Sequence, residues 1–164
     1  MSVNYRPLRE SDALAVAAIF NHYVENGFAA YPEQPMPPAS FGKLLAEIGG
    51  MPAIVACGEQ NGEVMGFAFL RPYNRFSTFS HTAEISCFIS PEHLREGLGK
   101  ELYVRILAQA CEKGVKRVLA SVCSANQGSL AFHEAMGFLV CGRFEGVMEK
   151  KGQVLDVMWF IKGL

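Results

Sequence analysis

Apolar positions along the 164-residue chain alternate between two spacings, and the changes of spacing mark out elements. The run VNYRPL reads as a short strand. Ser11 and Asp12 then offer an N-cap, and Leu14, Ala17, Phe20, Tyr23 and Val24 recur at helical spacing until Gly27 can end the helix. FAAYPEQPMPP is rich in proline, which lacks a backbone donor, so it predicts a loop. A second helix follows, capped by Ser40 and stopped by Gly49-Gly50. AIVACGE and VMGFAFLR are strand-like and meet through Gln60-Asn61-Gly62-Glu63, where Asn-Gly predicts a hairpin.

After the loop PYNRFSTFS comes HTAEISCFI, whose period of two puts Thr82, Glu84, Ser86 and Phe88 on one face and Ala83, Ile85, Cys87 and Ile89 on the other. Glu84 is thus a charge in mid-strand. A long helix runs from Gly97 to Gly114, then strand RVLASVC, a short helix after Asn126, and strands FLVCGRFE and VLDVMWFIK. The predicted order is β-α-α-β-β-β-α-β-α-β-β. No repeat or shift of composition divides it, so residues 1–164 should form one α/β domain with a mixed, largely antiparallel twisted sheet flanked by helices.

Composition narrows the possible partners. Fifteen Lys and Arg against sixteen Asp and Glu give a formal charge of −1, and no basic run tracks a phosphate backbone, so nucleic acid is not the expected partner. The amino terminus lacks the apolar core of a signal peptide and no apolar stretch approaches a bilayer span of about 20 residues. A soluble, cytoplasmic protein without membrane association is expected. Five widely spaced cysteines among apolar neighbours predict reduced, buried thiols, and without close Cys or His pairs no metal site is expected.

Candidate chemistry gathers at the turn SPEHLREGLGK between a strand and a helix. Unpaired N–H groups and a helix dipole converge there, and Gly97 and Gly99 let a pyrophosphate approach the backbone, although the same glycines suit a plain tight turn. A Walker loop is excluded, because Leu94 stands where its first Gly belongs and Glu101 where Ser or Thr does. The dinucleotide fingerprint is excluded by Leu102, which replaces its third small residue.

The segment Leu94-Arg95-Glu96-Gly97-Leu98-Gly99 resembles the acyl-CoA loop of the GNAT superfamily of N-acetyltransferases, with Leu94 where a Gln or Arg is usual. FNHYVEN, PYNRFSTFSHTAEIS, SPEHLREGLGKELY, SANQGSLAFHEAMGF and EKKGQVLDVMWF extend the resemblance in register to the phosphinothricin acetyltransferase-like subfamily. The resemblance implies a single GNAT-type domain using acetyl-CoA. Arg95, Glu96, Gly97, Leu98, Gly99 and Lys100 would cradle the pyrophosphate. Cys87, Phe88 and Ile89 would pair with pantetheine, the amide of Phe88 or Ile89 facing the thioester oxygen. Asn126 would bind pantetheine, and Ser129 and His133, four residues apart, share the helix face that meets the cofactor.

Glu84 matches the subfamily's general base, and His133 stands where relatives carry a residue near the sulfur, as a candidate general acid. Each has a plainer reading: Glu84 as a salt-bridge partner, Asn126 as an N-cap, His133 as a structural histidine. Tyr31, Tyr73, Arg75 and Phe79 are the expected acceptor-site residues, with Arg71 or Arg75 able to clamp a carboxylate. The expected reaction is direct acetylation of a small amino acid or analogue of the phosphinothricin, methionine sulfoximine or methionine sulfone type. A polyamine, an aminoglycoside or a protein amino terminus as acceptor, or a non-enzymatic acyl-CoA-binding module, are the alternatives. VLDVMWFIK, read as an edge strand, invites a homodimer, while Trp159 and Phe160 could equally pack within one chain.

Overall fold

The computed structural model describes residues 2–164. Its elements follow the expected order: β1 (Val3–Pro7), α1 (Ala13–Glu25), α2 (Phe41–Ile48), β2 (Ala53–Gly58), β3 (Val64–Pro72), β4 (Thr82–Ile89), α3 (Leu98–Glu112), β5 (Arg117–Cys123), α4 (Gln127–Ala135), β6 (Leu139–Lys150) and β7 (Gln153–Gly163). The strands form one sheet in the order β1-β2-β3-β4-β5-β7-β6. Among the described residues only β4 and β5 run parallel.

The alternation of apolar residues builds two cores, one on each face of the sheet. Ala68, Leu70, Ala83, Ile85, Val118 and Ala120 meet Leu102, Tyr103, Ile106 and Ala110 of α3, with Leu130 and Phe132 of α4 beside them. On the opposite face Val55, Phe67 and Phe69 meet Val16 and Ile19 of α1 and Phe41 and Ile48 of α2. Each fully buried Leu or Ile contributes about 2 kcal/mol, and these two layers hold β4 between them. The period of two read in β4 is the one observed: Phe88 packs with the α1 and α2 core and Cys87 and Ile89 with the α3 core.

The feature that shapes the site is a parting of strands. β4 pairs with β5 only at Thr82↔Arg117, Ala83↔Val118 and Glu84↔Leu119. Beyond Glu84 the two strands separate, while β4 stays paired with β3 as far as Ile89. The far half of β4 therefore has one edge laddered and one edge open.

Several local expectations change. VLDVMWFIK is interior, laddered to β5 on one side and β6 on the other, so the edge belongs to β6, and Phe160 packs inside with 1% exposure. The β2–β3 connection is longer than a two-residue turn: only Gly62 is left-handed, and Asn61 instead accepts from the Glu63 amide through its side chain. Asp12 takes Arg6 through two hydrogen bonds of 2.8 Å and the Arg9 amide at 2.8 Å, and Ser40 makes no side-chain cap. Of the cysteines, Cys57 and Cys123 are buried, Cys87 is half-buried, and Cys111 and Cys141 are exposed; the apolar neighbours Leu139 and Val140 of Cys141 are exposed with it on the edge strand β6. Among the described residues no helix is long and apolar enough to cross a membrane.

Candidate active site

Antiparallel pairing alternates, so successive residues of β4 direct their backbone groups to opposite edges. Ser90 donates to the Met65 carbonyl and Tyr73 to that of Thr82, which fixes the phase: Thr82, Glu84, Ser86 and Phe88 bond to β3. Cys87 and Ile89 therefore turn their amides and carbonyls towards the opening between β4 and β5, beyond the last β4–β5 pairing at Glu84. Of the two amides expected to face a thioester, that of Ile89 points to the cleft and that of Phe88 is used in the ladder. The Ile89 carbonyl accepts from the Tyr23 hydroxyl of α1 at 2.5 Å, which fastens the helix to the mouth of the opening.

At the end of β4 the chain turns through Pro91–His93 into α3. Arg95 (φ 67°) and Gly97 (φ 82°) are both left-handed, and the turn that results leaves the amides of Leu98, Gly99 and Lys100 in the first, unpaired turn of the helix. Gly97 is required for its φ, whereas a Cβ at Gly99 would find only ordinary contacts with Phe132 and Ile89. Leu98 itself is a core residue, so only its backbone is available to a ligand. Such a ring of donors at the positive end of a 15-residue helix fits a polyanion.

The cleft opens into a cavity of about 770 Å³ that spans both sides of β4, within the usual size of a small-molecule site. Glu84, Cys87, Phe88, Ile89, Gly99, Asn126, Ser129, His133 and Tyr31 line it. Arg95, Glu96, Gly97, Leu98 and Lys100 sit outside it in the turn, and Tyr73, Arg75 and Phe79 lie on the exposed β3–β4 loop. There Tyr73 packs edge-on against Phe79 and Arg75 lies over Phe76, 5.0 Å from its ring centre. Of the four residues expected to contact the acceptor, the structure brings Tyr31 alone to the cavity.

Glu84 is the centre of a polar chain. Its side chain is 12% exposed and holds Arg71 of β3 at 2.9 Å. Arg71 in turn lies 3.9 Å from Glu47 of α2. Ser121 of β5 donates to Glu84 at 3.4 Å and accepts from the Tyr31 hydroxyl at 2.9 Å. Four elements and the loop carrying Tyr31 thus contribute to one line of polar groups across the cavity floor. Arg71 and Glu84 meet because the β3–β4 register places them opposite each other. Ser121 was not singled out from the sequence, since its neighbourhood depends on the short β4–β5 pairing.

The other wall is apolar and contains His133, which is 6% exposed. Its Nδ1 lies 2.7 Å from the Ser129 carbonyl, an acceptor only, so Nδ1 carries the hydrogen. Nε2 then accepts from the Tyr103 hydroxyl at 2.8 Å. Burial lowers the proton affinity of the imidazole, opposed by the bond to Ser129, and burial raises that of the Tyr103 hydroxyl well above its ordinary value. Both groups are held neutral. Asn126 caps α4 by accepting the Ser129 amide at 3.2 Å while also reaching the cavity. Burial pushes the Cys87 thiol up to about 12, which removes it as a nucleophile.

A carboxylate faces the cavity from one side of an open strand edge, and a donor-rich helix start stands at the edge's end. This is a layout for carrying a group from a phosphate-tailed donor to a nucleophile. The comparisons agree with it. The model of the Acetyltransferase (GNAT) family matches residues 16–138. The chain is 34% identical to the L-amino acid N-acyltransferase MnaT of Escherichia coli (strain K12) over 96% of its length and 90% of that protein's. It is 32% identical to a phosphinothricin N-acetyltransferase of Alcaligenes faecalis, covering 93% and 78% of the two. A solved GNAT superfamily phosphinothricin acetyltransferase from Sinorhizobium meliloti, in complex with AcCoA, superposes with a TM-score of 0.92 at 28% identity, over 100% of this chain and 89% of that one. Matched across three quarters of its length, with the strand opening and the glycine turn in place, the chain belongs to the GNAT family of acetyltransferases, enzymes that use acetyl-CoA.

Proposed function

We propose that the enzyme transfers acetyl from acetyl-CoA to the amino group of a small amino acid or amino-acid analogue, directly and with both substrates bound. The observation that carries this reading is Glu84, largely enclosed at the point where β4 and β5 part, with Arg71 on one side and Ser121 on the other. The amino-acid N-acyltransferases among its relatives support the acceptor class. Acetyl-CoA supplies an activated thioester. The amides of Leu98, Gly99 and Lys100, with Arg95 and Lys100 as cations, suit its pyrophosphate, while the open edge at Cys87 and Ile89 and the side chain of Asn126 suit pantetheine.

In this reading the Ile89 amide donates to the thioester oxygen and Glu84 takes the proton of the acceptor ammonium, leaving a nucleophilic amine. Arg71, already shared between Glu84 and Glu47, is the cation nearest an acceptor carboxylate. As the C–S bond breaks, the nitrogen, now bonded to the acetyl carbon, sheds its second proton and the leaving thiolate takes one up; the Tyr103 hydroxyl, turned from His133 towards the cleft by rotation about one C–O bond, can relay it, receiving the nitrogen's proton as it gives its own and so staying neutral. Inert Cys87 favours direct transfer over an acetyl-cysteine intermediate. The test is thiol release from acetyl-CoA with a panel of methionine sulfoximine, methionine sulfone, phosphinothricin, methionine, spermidine and kanamycin. Turnover should be confined to the amino acids; turnover with spermidine or kanamycin alone would replace the acceptor class, and none with any amine would leave only an acyl-CoA-binding module.

We infer further that the enzyme is a cytoplasmic homodimer. Five free thiols favour a reducing compartment. For the dimer, Leu139, Val140, Phe144 and Val147 of the edge strand β6, with Val154 of β7, expose a run of large apolar side chains. Light scattering should give twice the 18.0 kDa chain mass, and V140E should lower it. A parent protein at the monomer mass would remove the dimer.

A further inference from the structure

The acceptor side of the cavity is completed by a segment without regular structure, from Asn26 to Pro37, which contributes Ala29, Ala30, Tyr31 and Met36 to its wall. Such a segment must be tied down by side chains if it is to present Tyr31 at a fixed place. Asn21 of α1 holds its far end by exchanging two hydrogen bonds with the Met36 backbone, at 2.8 and 2.7 Å. Tyr31 reaches Ser121. The remaining ties come from the β6–β7 hairpin, whose turn residues Lys151 and Gly152 are both left-handed. Lys151 donates to the Glu25 carbonyl at the end of α1, and Lys150 donates to the Ala30 carbonyl at 2.6 Å.

Lys150 is the anomalous one. Its side chain is 1% exposed, an almost complete enclosure for an ammonium with three hydrogens to place. Among the described residues no carboxylate comes within 4.0 Å of it, and its one hydrogen-bond partner is the Ala30 carbonyl. A buried cation in contact with a single neutral acceptor, attracted by Glu33 only from beyond contact distance and repelled by Lys151, is a costly arrangement, and a methionine of similar length would fill the same space without that cost. What a methionine cannot do is hold a carbonyl. Ala30 is itself buried, and the next residue is Tyr31, one hydrogen bond from Ser121 and two from Glu84.

We propose that Lys150 is a positioning residue for the acceptor site: by fixing the Ala30 carbonyl it sets Tyr31 against Ser121 beside Glu84, so that the acceptor meets a completed pocket. The role rests on the reading of the Glu84 cavity as the acceptor site, and it assigns Lys150 no contact with either substrate.

The test compares K150M with the parent in two independent ways. Amide hydrogen exchange on the free protein should show residues 27–35 losing protection by about tenfold, the equivalent of one hydrogen bond, with β5 and α3 unchanged. With methionine sulfoximine as acceptor, its KM should rise by about tenfold while that of acetyl-CoA stays within twofold, a split that general loss of structure would not give. K150R, which keeps a charged donor, should recover most of both. Unchanged exchange in the segment and unchanged acceptor KM in a folded K150M would overturn the proposal, as would an equal rise in both KM values. If K150M does not fold, K150Q gives the same comparison, because its amide ends one bond short of Ala30. Were the parent inactive on every amino acid, the acceptor reading would fail alone, and the exchange measurement would still decide the role of Lys150.

Discussion

Replacing Glu84 by glutamine should leave acetyl-CoA binding close to that of the parent and slow turnover about 10²- to 10⁴-fold near neutral pH, the range set by loss of a general base. Glutamine keeps the size of glutamate and an oxygen that can accept from Arg71 and Ser121, so the polar chain across the cavity floor survives. What it loses is the capacity to take a proton. Arg71 retains Glu47 and is 37% exposed, so losing the charge on residue 84 opposite its guanidinium costs about 1 kcal/mol or less in folding. The loss should therefore fall on kcat. E84Q should also regain rate as pH is raised towards the amine's own pKa, because free amine then needs no base. Steady-state rates across that range, beside calorimetric binding of acetyl-CoA, make the measurement; a kcat within twofold of the parent at neutral pH would remove Glu84 from the chemistry.

The pairing of Glu84 with Arg71 shows what a sequence reveals and where it stops. Mid-strand position and face follow from a period of two in eight residues, so Glu84, Cys87 and Ile89 could be placed before any coordinates. The helix start at Gly97 was equally local: a glycine, an apolar period and no competing element. Arg71, Ser121 and Tyr31 join Glu84 only through strand register, a parting of strands and a folded-back loop, none of which has a short-range signal. Arg75 and Phe79 were expected nearby because they precede Glu84 closely in the chain, yet the β3–β4 loop carries them out to solvent. Lys150 lies beyond FLVCGRFE, the strand read from the sequence, where lysine is ordinarily solvated; β6 in fact runs on to it, and only the crossing of the hairpin beneath the acceptor segment encloses it. Tyr103 falls inside the helix expected from Gly97 to Gly114 without a local signal of its own, since its hydroxyl matters only when α4 brings His133 within reach.

That last contact yields the largest expected effect on stability. In H133A a buried imidazole is lost from between Phe138 and Phe160, each 5.4 Å from it by ring centres, and the Tyr103 hydroxyl loses its acceptor inside an apolar wall. Cavity and orphaned donor together cost about 3–5 kcal/mol, which at this chain length lowers Tm by about 10 °C. Y103F alone removes the donor and leaves Nε2 unpaired, so it should cost less. The double variant should fall short of the sum of the two by about 1 kcal/mol, because the second change removes a partner already lost. Protonation gives the pair a pH signature. Burial holds the folded imidazole below its ordinary value of 6.5, so the unfolded chain binds the proton more readily. The parent's stability should be full above 6.5 and decline as pH falls through the lower, folded value, and this part of the decline should vanish in H133A. Thermal midpoints of parent and variant from about pH 7.5 down to about pH 5 measure the difference; parallel curves would mean that the fold leaves the proton affinity of His133 unchanged, and a parent that gains on H133A as pH falls would mean that His133 is protonated in the fold and that the hydrogen shared with Tyr103 lies the other way round.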